Sequence, residues 1–339
     1  MSLPETRTCP SFHGKVSTLF GIHIVNLALT LLTLGLYHFW AKVKVRKYLF
    51  SQTEFASDRF VYHGSGKELS VGFLKAATLF GFPYVALNTV PQLVDLPWWA
   101  VMACSSLAVL VPWVFAPIAM IGSRRYRLSR TSWRGIRFSF HGKVRPFLWL
   151  TLKGTALTAI TLGAYYPYYQ TKRQAYLVSY SRFGNRTFSF DGIGAELAPG
   201  FVLTPLVTFF TFFIPVVFAY NVNMLFLLLL PFTVAPPWLW FLAKKQRFFW
   251  DHTKLGEARF RSTITARAFL NLHAGNLLLL VVTLGFAWPW TTVRTIQFHL
   301  NNLSLLGSLD EASIFQESDV APVTTEGLAN LLDSGFEFD

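Results

Sequence analysis

Carboxylates are scarce in this chain until its end. Up to position 309 there are nine, Glu5, Glu54, Asp58, Glu68, Asp95, Asp191, Glu196, Asp251 and Glu257, and none lies inside an apolar run. The usual signatures of catalysis are missing as well: no paired carboxylates, no Ser-His-Asp set, no glycine-rich phosphate loop and no zinc-ligand spacing. Gly64-x-Gly66 lacks the third glycine and following helix of a dinucleotide turn. His13, His63 and His141 each precede a glycine at a strand end and read as structural. No catalytic residue, metal site or cofactor is implied. Cysteine is nearly absent: Cys9 and Cys104 cannot build a disulfide framework or a metal cluster. The first fifteen residues carry no apolar core before a small-residue cleavage site, so they read as no secretory signal.

What the chain has in excess is apolar surface. Hydrophobic residues make up 53% and charged residues 14%, with a mean hydropathy of +0.40, against about 25% charged in soluble domains. Residues 18–40 form an apolar run that ends in Thr33-Leu34-Gly35, an aromatic cluster and the basic stretch AKVKVRKYL. Further apolar runs lie near 71–90, 98–122, 199–219 and 222–243, each close to the roughly 20 residues that cross about 30 Å of hydrocarbon.

The chain resembles itself. An offset of 128 carries SFHGKV at 11–16 onto 139–144, Thr33-Leu34-Gly35 onto Thr161-Leu162-Gly163 and Glu68-Leu69 onto Glu196-Leu197. A weaker third copy, at an offset of 250, pairs His23 with His273, Asn26 with Asn276 and Thr33-Leu34-Gly35 with Thr283-Leu284-Gly285. A second unit, RKYLFSQTEFASDRFVYHG at 46–64, returns at 124–142. Alternation such as Phe60-x-Tyr62, Phe138-x-Phe140 and Phe188-x-Phe190 after turn residues predicts short β-hairpins at the membrane surface. The fold expected is an all-α polytopic membrane protein with short surface β-hairpins, about seven hydrophobic segments and internal repeats, two strong copies and one weak, near 11–69, 139–197 and 261–308. A polar arm (1–17) would precede one integral membrane domain (18–309). An acidic tail (310–339), with eight acids and no base, has the composition of a disordered arm.

Charge bears on how often the chain crosses. If the three Thr-Leu-Gly segments each span, seven crossings put 14 Lys and Arg on one face and 13 on the other, with no bias. If they dip in and return, every basic hairpin shares one face, as the positive-inside rule favours. Glycine would supply the break. The charge count favours re-entry.

FHGK, then an Asn in an apolar helix, then Leu-Thr-x-x-Thr-Leu-Gly-x-Tyr, then Arg-x-Tyr-Leu and the hairpin RTSWRGIRFSF together resemble the YjgN-type family of bacterial inner-membrane proteins, a domain of unknown function. The resemblance runs to about Asp310 and implies a multi-pass inner-membrane location. It carries no substrate or catalytic residue.

Polar residues inside apolar segments are the site candidates, because burying them in hydrocarbon is costly unless they are paired. His23 and Asn26, three apart on one helical face, recur as His273 and Asn276, and Lys153 lies deep in its segment. They read as a polar pathway or as interhelical hydrogen bonds. Lys42, Lys44, Arg46, Arg124, Arg125, Lys172, Arg173, Lys244 and Lys245 flank the apolar runs and are expected to meet anionic lipid headgroups rather than nucleic acid. The bilayer is thus the expected partner, and a homo-oligomer is compatible with the pattern. Transport or channel activity for an unidentified solute is the function expected. A lipid-binding or scaffolding protein without catalysis is the alternative.

Overall fold

The computed structural model describes residues 7–307 and 314–316. Much of the arm at 1–17 is therefore described, whereas the expected tail, apart from 314–316, lies outside the described residues.

Two short strands open the chain, β1 (Arg7–Thr8) and β2 (Ser11–Phe12), followed by α1 (Val16–Leu32) and α2 (His38–Gln52). The hairpin β3 (Thr53–Phe55) and β4 (Asp58–Tyr62) leads to α3 (Gly66–Ala76), which continues through a π-helical turn at Ala77–Gly81 into α4 (Phe82–Leu93). Helix α5 (Trp98–Ser129) returns to the hairpin β5 (Thr131–Trp133) and β6 (Ile136–Phe140). Next come α6 (Val144–Ile160), α7 (Tyr166–Ser179), β7 (Ser181–Phe183), β8 (Arg186–Phe190) and α8 (Gly194–Asn221). The last elements are α9 (Leu230–Asp251), β9 (Thr253–Leu255), β10 (Ala258–Ser262), α10 (Ala266–Val282), α11 (Trp288–Asn301) and β11 (Leu303–Leu306).

One physical detail turns each Thr-Leu-Gly segment back. In α1 the Thr33 hydroxyl donates to the Leu29 carbonyl at 2.7 Å and accepts from the Tyr37 N–H at 2.9 Å, so it joins the end of one helix to the start of the next. The Gly35 N–H reaches back to the Thr30 carbonyl at 2.7 Å, the six-to-one bond of a Schellman end. Leu34 and Gly35 take φ of 51° and 92°, a left-handed pair that glycine adopts freely and leucine at a cost. Thr161 and Thr283 make the same two bonds. The leucine of each turn is thrust outward, Leu162 being 97% exposed. At 1.5 Å per residue the 17 residues of α1 reach only about 25 Å, short of a full crossing.

The hairpins are not separate. The strands among the described residues form one antiparallel sheet in the order β1-β11-β10-β9-β8-β7-β6-β5-β4-β3-β2. Its two edge strands, β1 and β2, are consecutive in the chain and joined through Cys9 and Pro10, so the sheet curls into a ring. Proline suits that corner, having no N–H to offer a ladder. Within hairpins, Ala56-Ser57 (φ 46° and 67°) and Arg134-Gly135 (φ 51° and 77°) are two-residue turns with both residues left-handed, the type that matches strand twist. Between hairpins the register recurs: Tyr62 opposite Thr131, Phe140 opposite Ser181, Phe190 opposite Thr253 and Ser262 opposite Leu303. The residue after each outgoing strand donates its N–H to the last carbonyl of the next returning helix, as in His63 to Arg130 at 2.7 Å and His141 to Tyr180 at 2.9 Å.

Helices run from one side of this ring as antiparallel pairs, and each packs on its chain neighbours, α11 closing against α1. Small cores fill the seams, such as Val43, Tyr62, Leu69 and Tyr126, or Ile121, Phe140, Phe147 and Leu177. At the first seam Glu68 completes a capping box with Ser65 and accepts from Tyr126 Oη at 2.8 Å and Arg130 at 2.9 Å. This ties the start of α3 to the end of α5.

The expected fold class is corrected in two respects. The protein is not all-α: its hairpins join into an eleven-stranded sheet. Among the described residues, four helices rather than about seven segments are long and apolar enough to cross a membrane, Gly66–Leu93, Trp98–Ser129, Gly194–Asn221 and Met224–Asp251. Val16–Leu32 and Ala266–Val282 are shorter. The order helix, strand, strand, helix recurs around the ring. Seven crossings would put β3–β6 and β7–β10 on opposite faces, and one sheet cannot be so divided.

Single cysteines placed by Thr8→Cys and Ala56→Cys, in a Cys9→Ser/Cys104→Ser background, are accordingly expected to react with an impermeant maleimide from the same side of sealed membrane vesicles. Labelling from opposite sides would refute the single sheet.

Candidate functional site

The ring encloses a cavity of about 550 Å³, within the range of small-molecule sites. Strand alternation makes it. The third residue of each incoming strand, Phe55, Trp133, Phe183, Leu255 and Leu305, faces inward, and Phe60, Phe138, Phe188 and Phe260 of the outgoing strands join them. Trp133 and Phe183 are 4% and 2% exposed, and their rings pack at 5.5 Å between centroids. The Trp133 indole donates to the carbonyls of Phe55 and Asp58 at 3.1 and 3.3 Å, so the wall carries no stranded donor there. Truncating such a buried aromatic costs about 3–5 kcal/mol. On the helix side the lining is completed by last-turn residues, among them Leu49, Phe50, Leu128, Trp250, Ile296 and Leu300.

Among the described residues of the lining, Arg127 is the one charged side chain, and it is exposed. It stands four residues before its strand, where the other units have Leu49, Leu177, Phe249 and His299. The site is therefore an aromatic tube with one cation at its helix-side end.

Sequence reasoning did not find this tube, although its signal was present in Phe60, Phe138, Phe188 and Phe260 recurring at one place in the hairpins. The residues it did single out lie elsewhere. Asn26 is 4% exposed, donates to the Ala41 carbonyl at 3.3 Å, and leaves its Oδ1 without a partner. Asn276 donates to Thr295 at 3.0 Å, and its Oδ1 is likewise unpartnered. His273 Nδ1 bonds the Phe269 carbonyl at 2.9 Å, whereas His23 Nε2 has no partner. Both helices, α1 and α10, pack against α11. Lys153 is exposed on α6, which packs on α5 and α7, so it does not join the two His/Asn pairs.

The basic residues divide by geometry. Arg46 bonds Tyr62 Oη at 3.3 Å, Arg124 bonds Ser181 at 3.1 Å and Arg125 bonds the Gly142 carbonyl at 2.7 Å, all tying helix ends to strands. Lys44, Lys172 and Lys244 occupy one equivalent, exposed position and lie over Tyr37, Tyr165 and Trp240 at 5.3–5.7 Å, with Lys245 over Phe249 at 6.0 Å. A cation resting on an aromatic ring of its own helix suits headgroup depth. Lys42 and Arg173 are half-buried. Among the described residues no group of three or more His, Cys, Asp or Glu could hold a metal ion.

With this geometry in view, the comparisons with known proteins decide the family. The family described as "Bacterial protein of unknown function (DUF898)" matches residues 8–331. The chain belongs to it. Its relatives include the inner membrane protein YjgN of Escherichia coli strain K12, 37% identical over 153 residues, and that of E. coli O157:H7, 33% identical over 152 residues. Each match covers 45% of this chain and 36% of the relative. YjgN of Salmonella typhimurium is 26% identical over 151 residues, 44% of this chain and 36% of its own length. The matched stretch is thus little more than a third of these relatives. No solved structure matches the chain. Together with the four membrane-length apolar helices among the described residues, the family and the relatives make this DUF898 member a multi-pass protein of the bacterial inner membrane.

On the outer wall of the ring, Asp191 holds Lys254 at 2.8 Å and Arg259 at 2.9 Å, linking the end of β8 to the next hairpin. Burial pushes its carboxyl up, but the bond from Lys254 and the charges of Arg259, Lys254 and His252 outweigh it and hold the pKa below its ordinary value. The stability this adds is complete above the ordinary carboxylate range and is lost as pH falls through the lowered pKa. Asp191→Asn is expected to cost at most about 1 kcal/mol at neutral pH, as for an exposed pair. In thermal melts the difference from the unmodified protein should shrink in acid, and a difference that grows in acid would contradict this sign.

Proposed function

We propose that this protein binds an anionic amphiphile at the membrane surface, the acyl chain in the ring and the head group at Arg127. The observation that carries this reading is the cavity of about 550 Å³, walled by aromatic and aliphatic side chains and bearing one exposed cation where its lining meets the helix ends. An acyl chain loses its contact with water in such a tube at roughly 25 cal/mol per Å² of apolar area. A carboxylate or phosphate gains a charge-assisted bond from a guanidinium. The stacked lysines Lys44, Lys172 and Lys244 support the same reading, since they would hold the ring at the level of anionic headgroups.

Passage of a polar solute, the other function considered, draws support from the unpartnered oxygens of Asn26 and Asn276. Lys153, exposed on α6 between α5 and α7, stands apart from both.

Native mass spectrometry of delipidated protein with palmitate tests the proposal. One palmitate per chain is expected, with affinity falling about tenfold in Arg127→Gln, as for a lost charge-assisted bond of about 1.4 kcal/mol. Phe188→Gln should remove most of the occupancy while leaving the melt cooperative. Equal occupancy in all three proteins would overturn the reading.

A further inference from the structure

The ring has two ends, and the helices run from only one of them. At the other, where the hairpins turn, a short piece of distant chain is seated. Ile314 is 8% exposed and packs among Trp133, Phe183 and Leu255, the inward residues of three successive hairpins. The segment is also held by backbone. The Asn185 N–H donates to the Phe315 carbonyl at 3.1 Å, the Phe315 N–H donates to Asn185 Oδ1 at 3.4 Å, and the Arg137 N–H donates to Gln316 Oε1 at 2.7 Å.

The receiving turn is shaped for it. A Cβ on Gly184, whose φ is 53°, would lie 2.5 Å from the Phe315 oxygen, so only glycine lets the segment come this close. Charge agrees with geometry. Asp310, Glu311, Glu317 and Asp319 flank Ile314–Gln316 in sequence, and the hairpins beside the seat carry Arg134, Arg137, Arg182 and Arg186.

We infer that the turn end of the ring is a docking site for the chain's own acidic C-terminal stretch, with Ile314 as its anchor, and that the docked segment closes the cavity on the side away from the helices. Access to the cavity then runs from the helix end alone while the anchor is seated. The tube becomes open at both ends when the anchor leaves. This inference concerns access and stands whether or not the ligand is an amphiphile.

The test uses Leu255→Cys in a Cys9→Ser/Cys104→Ser background, reconstituted in nanodiscs and reacted with a charged maleimide. Labelling is expected to be slow in the full chain and at least tenfold faster in the chain ended after Gly307 or carrying Ile314→Asp. A synthetic peptide of residues 308–339 added to the shortened chain should restore slow labelling, and the same peptide with Ile314→Asp should not. Peptide rescue separates removal of a stopper from collapse of the ring. Equal rates with and without the segment, or fast labelling that the peptide does not slow, would overturn the inference. Palmitate is absent throughout, so failure here leaves the amphiphile reading standing, and failure of palmitate binding leaves this one standing.

Discussion

Closure of the sheet is the constraint on which this molecule rests. A row of unpaired N–H and C=O groups beside lipid has no water to satisfy it on that side, and in solution it recruits other strands. Each hairpin here is too short to stand alone, β5 and β7 having three residues each, and isolated two-stranded hairpins are marginal in water. Pairing every hairpin with the next, and spanning the last gap with the run from Arg7 to Phe12, leaves only the two-residue strands β1 and β2 as edges. The helices inherit their places from this, since each strand leads into or out of a helix and the bonds at the seams fix where one ends and the next begins.

From closure follows the unusual distribution of the core. A single helical bundle would bury one central cluster, but a ring of helix pairs buries several small ones at its seams and one aromatic cluster inside the sheet. The spans themselves are thinly covered, with 6–28% of their most apolar windows buried, so few of their side chains are packed inside the protein. Stability at the membrane surface is concentrated in the seams, where Glu68 gathers Ser65, Tyr126 and Arg130.

Local features of this architecture were legible in the residues, and long-range ones were not. Arg134-Gly135 announces a hairpin because glycine takes the needed φ freely, whereas Ala56-Ser57 shows only through the alternation beside it, Phe60-x-Tyr62. Thr33-Leu34-Gly35 announces a break for the same reason, although that Leu34 would share the left-handed conformation is not written in a leucine. The number of membrane-length segments was overcounted because 17 apolar residues look much like 20 in a hydropathy window, and the Thr33 hydroxyl bridge shows where α1 ends. The ring itself was hidden because Tyr62 and Thr131 pair across a whole helix pair. The cavity was hidden with it, since Phe60, Phe138, Phe188 and Phe260 converge only once the sheet has curled. The segment at Ile314 lay in a stretch whose acidity spoke for solvent, and a lone isoleucine among acids carries little weight in any average.

The bridging run from Arg7 to Phe12 has a consequence for biogenesis. It is made some three hundred residues before its partner β11, so during synthesis the nascent sheet grows by one hairpin at a time with a gap in its circumference. That gap stays open until Leu303–Leu306 arrives to pair with β1.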